Sequence, residues 1–286
     1  RDELNSVLAE HGLFFGPNTS TANRCMIGGM VGNNSSGTTS IKYGVTRDHV
    51  LELETILSDG SEATFYRKGK STITSTFQNQ VEAQITELLN EEGAREELIS
   101  KSPKKSIHRR NTGYALDLLA EENNNLDLTK LLSGSEGTLA FSTAIKLNLD
   151  KLPPKHVHLV CAHFNSIHES MEAVLIAMKS EPYACELMDK IILDCTKGNI
   201  EQLENRFFVE GDPAAVLIIE LRHDNLGELN KQTDGLLKEL EETKLGYAFP
   251  VISGKDTIKV WNLRAAGLGL LSNIPGDAKP IACIED

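Results

Sequence analysis

The stretch IGGMVGNNSSGTTSIKYG, residues 27–44, concentrates residue types that can hold a bound group through the backbone. It contains five glycines and two adjacent asparagines, and Lys42 is its only charged residue. Glycine lets the main chain approach a neighbour closely and adopt positive φ, while Asn, Ser and Thr supply short hydrogen-bonding side chains. Two interpretations stay open for this stretch alone: an ordinary surface loop, or a cradle for a phosphate-bearing cofactor.

The two best-known phosphate motifs do not account for this stretch. No GxxxxGK[ST] P-loop occurs in the sequence, and GGMVG lacks the G-x-G-x-x-G spacing and a clear preceding strand. Two further short patterns follow along the chain, NTGYALD at residues 111–117 and GSEGT at residues 134–138. Each of them alone is compatible with an ordinary turn, so the order in which all three occur carries more information than any one.

Composition excludes several classes of function. The chain has 286 residues and a formal net charge of −12, which disfavours nonspecific binding to nucleic acid or to anionic membranes. The one basic run, KSPKKSIHRR at residues 101–110, has no interleaved aromatic residues, so a solvated loop is expected there. No apolar run reaches about 18 residues, so no transmembrane segment is expected.

Cysteine and histidine usage gives little support for a metal centre within this chain. The five cysteines form no CxxC pair, which disfavours a zinc ribbon or an iron–sulfur cluster and favours a reducing cytoplasm. His156 and His158 point to the same side of a predicted strand, which leaves a metal site there as a minor alternative.

Patterning predicts an α+β organisation with two domains, residues 1–150 and 151–286. In the first domain we expect a helix closed by Gly12, a hairpin turning at Asp59-Gly60, a helical region over 75–100 and a strand after the Gly134–Gly137 turn. The segment DKLPPKH predicts a linker. Strands then alternate with helices (HVHLVCAHF, SIHESMEAVLIAMKS, ACELMDKIILDCTK, PAAVLIIELRH, NLGELNKQTDGLLKELEETK, GYAFPVIS and KDTIKVWNLRAAGLGLLS), which favours a ferredoxin-like sandwich.

An ordered set of segments resembles a known family. IGG, NNSSG, KYG, LELETILSDG, NTGY and GSEGTLAF resemble, in that order, the FAD-binding domain of the vanillyl-alcohol oxidase or p-cresol methylhydroxylase (PCMH) type. The resemblance is strongest to the D-2-hydroxyacid dehydrogenase branch, which includes D-lactate, glycolate and D-2-hydroxyglutarate dehydrogenases, and within it to long bacterial members that continue into an iron–sulfur half. WNLRAAGLGLLSNIPGDAKPIACIED resembles the C-terminal substrate domain of that branch.

The resemblance implies a fold and a set of site residues. The fold would be the second half of a PCMH-type FAD-binding domain followed by a ferredoxin-like substrate domain (FAD-linked oxidase C-terminal domain) that stops short of its end. Arg264 and Lys279 would bind the substrate, Arg264 by a bidentate grip on its carboxylate. The residues implied to contact FAD are Thr21, Gly28, Gly29, Asn34, Gly37, Tyr43, Gly44, Gly134, Ser135, Glu136 and Gly137, with Gly113 and Tyr114 forming a supporting turn.

Other parts of the family's machinery are expected outside this sequence. The first half of the FAD domain would precede Arg1, and the histidines that hold a divalent metal and serve as the base would follow Asp286, so no catalytic residue is assigned here. We therefore expect a fragment that is inactive by itself, binds FAD weakly or not at all, and tends to self-associate, with a homodimer as one form.

Several positions depart from the family's usual pattern. Asn18-Thr19 stands where Asp-Pro is common, Met30 where Asn is common, and NSSG where NAGG is common. Leu268, four residues after Arg264, replaces a residue that is polar in some relatives. This last difference leaves the identity of the acid substrate open.

The function implied by the resemblance is FAD-dependent oxidation of a D-2-hydroxyacid, D-2-hydroxyglutarate or D-lactate, by hydride transfer to flavin N5. Electrons would leave through the iron–sulfur domain or a quinone, and the protein would be cytoplasmic or peripheral to the inner face of the membrane. Three alternatives remain: an oxidase of aromatic alcohols, an NADPH-dependent reductase on the same fold, and a flavin-free interaction module.

Overall fold

A computed structural model describes residues 1–68, 75–107, 109–110, 113–121, 126–272 and 277, without the side chains of Leu268 and Ser272. The chain divides into two compact units, of which the first is Arg1–Leu152 and the second begins at Pro153. Lys279, a proposed substrate contact, and the Asn111-Thr112 pair of NTGY lie outside the described residues.

The first unit combines short helices with a small antiparallel sheet. Strand β2 lies between β3 and β4, and the β2–β3 hairpin turns at Asp59-Gly60, where Gly60 has a φ of +84°. The buried apolar side chains of the sheet, such as Leu53 and Phe65, belong to clusters that include residues of the helices. Its elements are α1 (Asp2–Ala9), β1 (Leu13–Phe14), α2 (Ile27–Asn33), α3 (Ser40–Tyr43), α4 (Thr46–His49), β2 (Val50–Ile56), β3 (Glu62–Tyr66), α5 (Thr76–Leu89), α6 (Ala94–Lys101), α7 (Leu116–Glu121), α8 (Leu128–Leu132), β4 (Phe141–Leu147) and β5 (Asp150–Lys151).

Three local expectations need correction. The glycine-rich stretch is not continuous loop: it forms α2 and α3, because Met30 and Val31 are buried, and tertiary packing outweighs the roughly 1 kcal/mol helix penalty of each glycine. The region 75–100 is two helices, interrupted before α6 at Gly93, whose φ is +77°. In GYAFPVIS only Val251–Ser253 is strand, since Pro250 has no N–H for a ladder.

The second unit has the predicted ferredoxin-like order. Its antiparallel sheet runs β7-β8-β6-β9, which is the arrangement that a βαββαβ chain produces. Its elements are β6 (His156–Phe164), α9 (Ile167–Ala177), β7 (Ala184–Asp189), α10 (Lys190–Lys197), α11 (Ile200–Leu203), β8 (Ala215–His223), α12 (Leu226–Thr243), β9 (Val251–Ser253) and α13 (Thr257–Ser272).

The sheet of the second unit is covered on both faces. On one face, Val160, Ile219 and their neighbours pack with buried residues of α9 and α12. On the other face, Cys161, Ile218 and their neighbours pack with residues of α10 and α13. This double coverage explains why the central strands β6 and β8 have nearly continuous apolar sequences rather than an alternating pattern.

Candidate functional site

Helix α2 presents an open glycine surface. The helix follows Met26, which has extended backbone angles, and gives way to left-handed Asn34 with a φ of 52°. Met30 and Val31 face the core, whereas Gly28 and Gly29 are exposed. A Cβ added at either glycine would meet no atom within 4 Å. The backbone of this turn is therefore open to close approach by another group.

The GSEGT turn lies directly against α2. The backbone N–H of Gly134 donates to the Val31 carbonyl (2.8 Å), and that of Glu136 donates to the Gly32 carbonyl (2.9 Å). Asn33 Nδ2 also donates to Glu136 Oε1 (2.8 Å). Two glycine-rich patterns that are far apart in the sequence thus form one surface.

A buried arginine, missed in the sequence analysis, supports this surface from the core side. Arg47 is 8% exposed, and its Nε and Nη2 donate to the Ser133 carbonyl at 3.0 and 2.6 Å. Its backbone N–H donates to Asn34 Oδ1 (2.8 Å). Burial lowers the pKa of Arg47 to about 10, while Asp48 and Asp117 act in the opposite direction, so the guanidinium stays charged at neutral pH. Arg47 therefore links the end of α2 to the start of the turn.

Three predicted FAD-contacting glycines have internal reasons to be glycine. A Cβ at Gly37 would lie 1.6 Å from the Asn18 carbonyl oxygen. Gly44 and Gly134 have φ of +68° and +94°, and their added Cβ atoms would lie 2.5 Å from Asp48 Oδ2 and from Arg47 Nη2 respectively. Their glycine identity is explained by packing, so it is not independent support for a cofactor contact. Gly137 also has a positive φ, +71°, which favours glycine, although its added Cβ would meet nothing within 4 Å.

The remaining predicted FAD contacts lie around the same elements with partners inside the protein. Thr21 and Thr19 have their hydroxyls 3.3 Å apart. The Tyr43 carbonyl is 2.7 Å from His49 Nε2, and Ser135 Oγ donates to the Leu132 carbonyl (2.8 Å). Asn34 is buried by its contact with Arg47, whereas Glu136 is exposed. Their roles toward FAD stay proposals.

The exposed backbone of α2 and the GSEGT turn suits a large cofactor that contains a diphosphate group. Gly28, Gly29 and Gly137 leave open space where side chains would obstruct a ligand. Tyr114, next to Gly113, has its hydroxyl 2.7 Å from Thr138 Oγ1, which places Tyr114 at the end of the GSEGT turn. The residues present therefore fit a group such as FAD on this side.

In the second unit, Arg264 is already paired with a carboxylate. It lies on α13, and its Nε and Nη2 both donate to Oε2 of Glu186 on β7, at 2.9 and 2.5 Å. The two side chains are 27% and 14% exposed. Sequence reasoning assigned Arg264 to a substrate carboxylate but gave no indication of Glu186, because the partner of a polar side chain depends on the tertiary fold.

A second acid holds α13 beside this pair. Trp261, one turn before Arg264, donates through Nε1 to Glu220 Oε2 (3.0 Å), and Arg222 Nε donates to Glu220 Oε1 (2.5 Å). Glu186 pairs with Ile218 on β8, two residues from Glu220, so the two acids point to the same face. Helix α13 is therefore attached to the sheet through adjacent polar contacts.

The described residues contain no cluster of three or more His, Cys, Asp or Glu side chains suited to a metal ion. His158, one of the two histidines considered for a metal, has Nδ1 2.9 Å from Thr233 Oγ1. Within the same described ranges, Cys25, Cys161, Cys185 and Cys195 are free thiols, and no helix combines the length and hydropathy needed to cross a membrane.

The basic run borders a cavity of about 370 Å³ in the first unit. Lys105, Arg109 and Arg110 line it together with Arg47 and Asp48. Lys105 is largely solvated as expected, but Arg109 and Arg110 are half-buried. Each of these three cations has a partner: Lys105 pairs with Glu121 (3.3 Å), Arg109 donates to Ser36 Oγ (3.2 Å) and Arg110 pairs with Asp117.

Comparison with protein families matches two parts of this chain. Residues 1–65 match the FAD binding domain family, and residues 153–286 match the family of C-terminal domains of FAD linked oxidases. D-2-hydroxyglutarate dehydrogenase of Pseudomonas putida is 30% identical over 308 residues, which cover 100% of this chain and 29% of that protein. A mitochondrial cytochrome-type D-lactate dehydrogenase of Arabidopsis thaliana is 29% identical over 196 residues, covering 66% of this chain and 24% of the relative.

The chain thus spans about 29% of the length of the first curated relatives it matches. Among solved structures, alkyldihydroxyacetonephosphate synthase superposes with a TM-score of 0.56 at 15% identity, over 94% of this chain and 41% of that one. This likeness supports the fold.

Proposed function

Because this chain belongs to the family of FAD-linked oxidases, we propose that it serves in the FAD-dependent oxidation of a D-2-hydroxyacid, D-2-hydroxyglutarate or D-lactate, to the corresponding 2-oxoacid. The observation that carries the proposal is the joint surface of α2 and the GSEGT turn, because two patterns of the family meet there with their glycine backbone exposed.

Each described residue has a limited role in this proposal. When bound, FAD supplies the acceptor for the hydride that leaves C2 of the substrate. Gly28, Gly29 and Gly137 admit the cofactor to the backbone, and the Asn33–Glu136 hydrogen bond keeps the two segments together. Arg264 orients the substrate carboxylate, which lowers the entropic part of the barrier.

The remaining parts of the reaction involve groups outside the described residues. Lys279 is the second proposed substrate contact, and no catalytic base is assigned within this sequence. We propose an iron–sulfur domain or a quinone as the electron acceptor, in the cytoplasm or at the inner face of the membrane. The 286-residue chain alone is expected to bind FAD weakly, so stoichiometric FAD on the purified chain would contradict that expectation.

The reaction class is tested by the absorbance of the native, flavin-loaded protein under anaerobic conditions. Addition of D-2-hydroxyglutarate or D-lactate is expected to bleach the long-wavelength flavin band, and the acid that bleaches it is the substrate. A flavin band that neither acid bleaches would overturn the dehydrogenase proposal, and bleaching by NADPH would favour the reductase. Absence of any flavin band after FAD is supplied would favour an interaction module.

The glycine surface is tested by Gly28→Ala. The new methyl group enters open space in α2, so stability should be unchanged or higher by up to about 1 kcal/mol, because alanine is the better helix former. FAD affinity of the native protein should nevertheless fall, since the methyl group occupies the proposed approach. Fluorescence titration with FAD and urea unfolding measure the two quantities, and unchanged FAD affinity would remove Gly28 from the site.

A further inference from the structure

Glu186 occupies one edge of the Arg264 guanidinium and leaves the other edge open. Glu186 Oε2 accepts from Nε and Nη2, which lie on one edge of the planar group. Within the described part of the chain, Nη1 of Arg264 has no hydrogen-bond partner. The edge formed by Nη1 and the second N–H of Nη2 therefore remains for another carboxylate, in the parallel geometry that arginine favours.

Glu186 is itself held firmly. It lies within β7, paired with Ile218 of the central strand β8, and its side chain is 14% exposed. A long arginine side chain loses considerable rotamer freedom when it is fixed, so a partner on the sheet establishes the orientation of Arg264 before any ligand arrives. Glu186 also places a negative charge on the opposite edge of the guanidinium from the edge that would bind the ligand.

We infer that Glu186 is a positioning residue that sets both the orientation and the effective charge of Arg264, so that the site selects carboxylates by geometry and binds them only moderately. This inference rests on the proposed function, because Arg264 is the proposed carboxylate contact. Moderate binding suits a site where substrate and product carry the same carboxylate, since a fully unbalanced arginine would hold both tightly and slow product release.

Two substitutions separate orientation from charge. In Glu186→Gln the amide oxygen still accepts from both N–H groups of Arg264, but the negative charge is gone. In Glu186→Asp the charge remains, but the shorter side chain no longer reaches the guanidinium. A side chain that only stabilised the fold would change carboxylate affinity in the same direction in both variants, or in neither.

The test measures binding of 2-oxoglutarate to the native, flavin-loaded protein by isothermal titration calorimetry. We expect Glu186→Gln to tighten binding about fivefold, as removal of a nearby like charge from a partly solvated site predicts, and added salt to reduce that gain. We expect Glu186→Asp to weaken binding about fivefold, because the ligand must then order the arginine. Weaker binding by the Gln variant, or equal binding by both variants, would overturn the inference.

The matched control is Glu172→Gln, which removes an exposed acid from α9, a helix on the opposite face of the same sheet from Arg264. Its affinity for 2-oxoglutarate should equal that of the wild type, and thermal unfolding of all variants separates loss of folding from loss of binding. Arg264→Met tests the premise that Arg264 contacts the carboxylate. Unchanged affinity for 2-oxoglutarate in this variant contradicts the proposed role of Arg264. If Arg264→Met loses binding but the two Glu186 variants bind like the wild type, only the role of Glu186 is contradicted.

Discussion

Arg47 supports the proposed flavin surface without being part of it. Its guanidinium donates twice to the Ser133 carbonyl, and a Cβ on Gly134 would lie 2.5 Å from Nη2. The backbone of the turn passes so close to the Arg47 guanidinium that only glycine fits at position 134. Hydrogen bonds from charged donors to a carbonyl are stronger than those between neutral groups. The contact between Arg47 and the Ser133 carbonyl should therefore help to fix the conformation of the turn.

Replacing Arg47 should loosen that turn. We expect Arg47→Met to cost about 3 kcal/mol, since it removes two charge-assisted hydrogen bonds to the carbonyl of the buried Ser133. Urea unfolding measures the cost, and hydrogen exchange of the peptide 131–138 should increase. Arg95→Met is the control, because Arg95 also donates to a backbone carbonyl, that of Ala120, but away from the turn. Equal costs for the two variants would contradict the role of Arg47.

His163 is a buried histidine with a defined neutral form. Nδ1 lies 2.8 Å from the Cys161 carbonyl, which can only accept, and Nε2 accepts from the Glu210 N–H (3.1 Å). Burial is the main reason that the pKa of His163 is lowered in the folded protein, and its backbone hydrogen bonds oppose that shift. Protonation therefore favours the unfolded chain.

The sign of this linkage gives a pH prediction. Stability from His163 should be fully present above the unfolded pKa of about 6.5 and should decline as the pH falls toward the lowered folded value. We expect the free energy of unfolding to fall more steeply from pH 7.5 to 5 in the wild type than in His163→Gln, which lacks the titrating ring. Urea unfolding across that pH range measures both slopes, and parallel profiles would show that His163 does not contribute.

At the scale of elements, helix α13 shows how one helix serves both packing and chemistry. Val260 and Leu263 are fully buried in the core below the sheet. Trp261 and Arg264 follow them directly in sequence and contact the acids of β7 and β8. The apolar contacts fix the depth of the helix, and the polar contacts fix its rotation, so the orientation of Arg264 follows from the whole helix.

Helix α12 covers the opposite face and depends on its first turn. Leu229, Leu236 and Leu240 are buried at helical spacing. Asn225 caps the helix, because its Oδ1 accepts from the N–H groups of Gly227 (2.8 Å) and Glu228 (3.2 Å).

Removing this cap should cost about 1 kcal/mol in Asn225→Ala, because two N–H groups lose their acceptor. Asn225→Asp should retain nearly full stability, since aspartate caps equally well and its charge suits a helix N-terminus. Urea midpoints compare the three proteins. An alanine variant as stable as the aspartate variant would mean that the cap contributes nothing.

At the scale of the whole molecule, each unit has its own hydrophobic core. The two clusters on either side of the β7-β8-β6-β9 sheet draw all their residues from the second unit. A domain with a closed core of this kind is expected to fold independently.

We therefore expect a polypeptide of residues 153–286 to fold alone and unfold in one cooperative transition, without binding FAD. Circular dichroism during urea titration tests cooperativity, and fluorescence titration tests FAD. A gradual, noncooperative transition would show that this unit needs residues outside 153–286 to complete its core.

Local patterns were enough for much of the fold. The apolar run of β8, the Asp59-Gly60 hairpin and the spacing of leucines in α12 predicted their elements because strand and helix periods are written in neighbouring residues. The order of the flavin-related segments pointed to the family, and the family matches over residues 1–65 and 153–286 confirmed that family. Patterning failed at α2, where glycines masked a helix that burial of Met30 and Val31 stabilises.

By itself, the sequence determined the fold class of the two domains and the alternation of strands and helices, and it suggested the residues that are proposed to contact FAD and substrate. Only the tertiary structure showed which glycines face open space and which lie too close to a neighbouring atom to carry a Cβ. It also showed that Arg47 supports the GSEGT turn and that Glu186 binds Arg264. The physical reason is that periodicity and turn preference act between neighbours in sequence. The partner of a buried charge, by contrast, is chosen by whichever distant strand or turn the packing of apolar side chains brings within hydrogen-bonding distance.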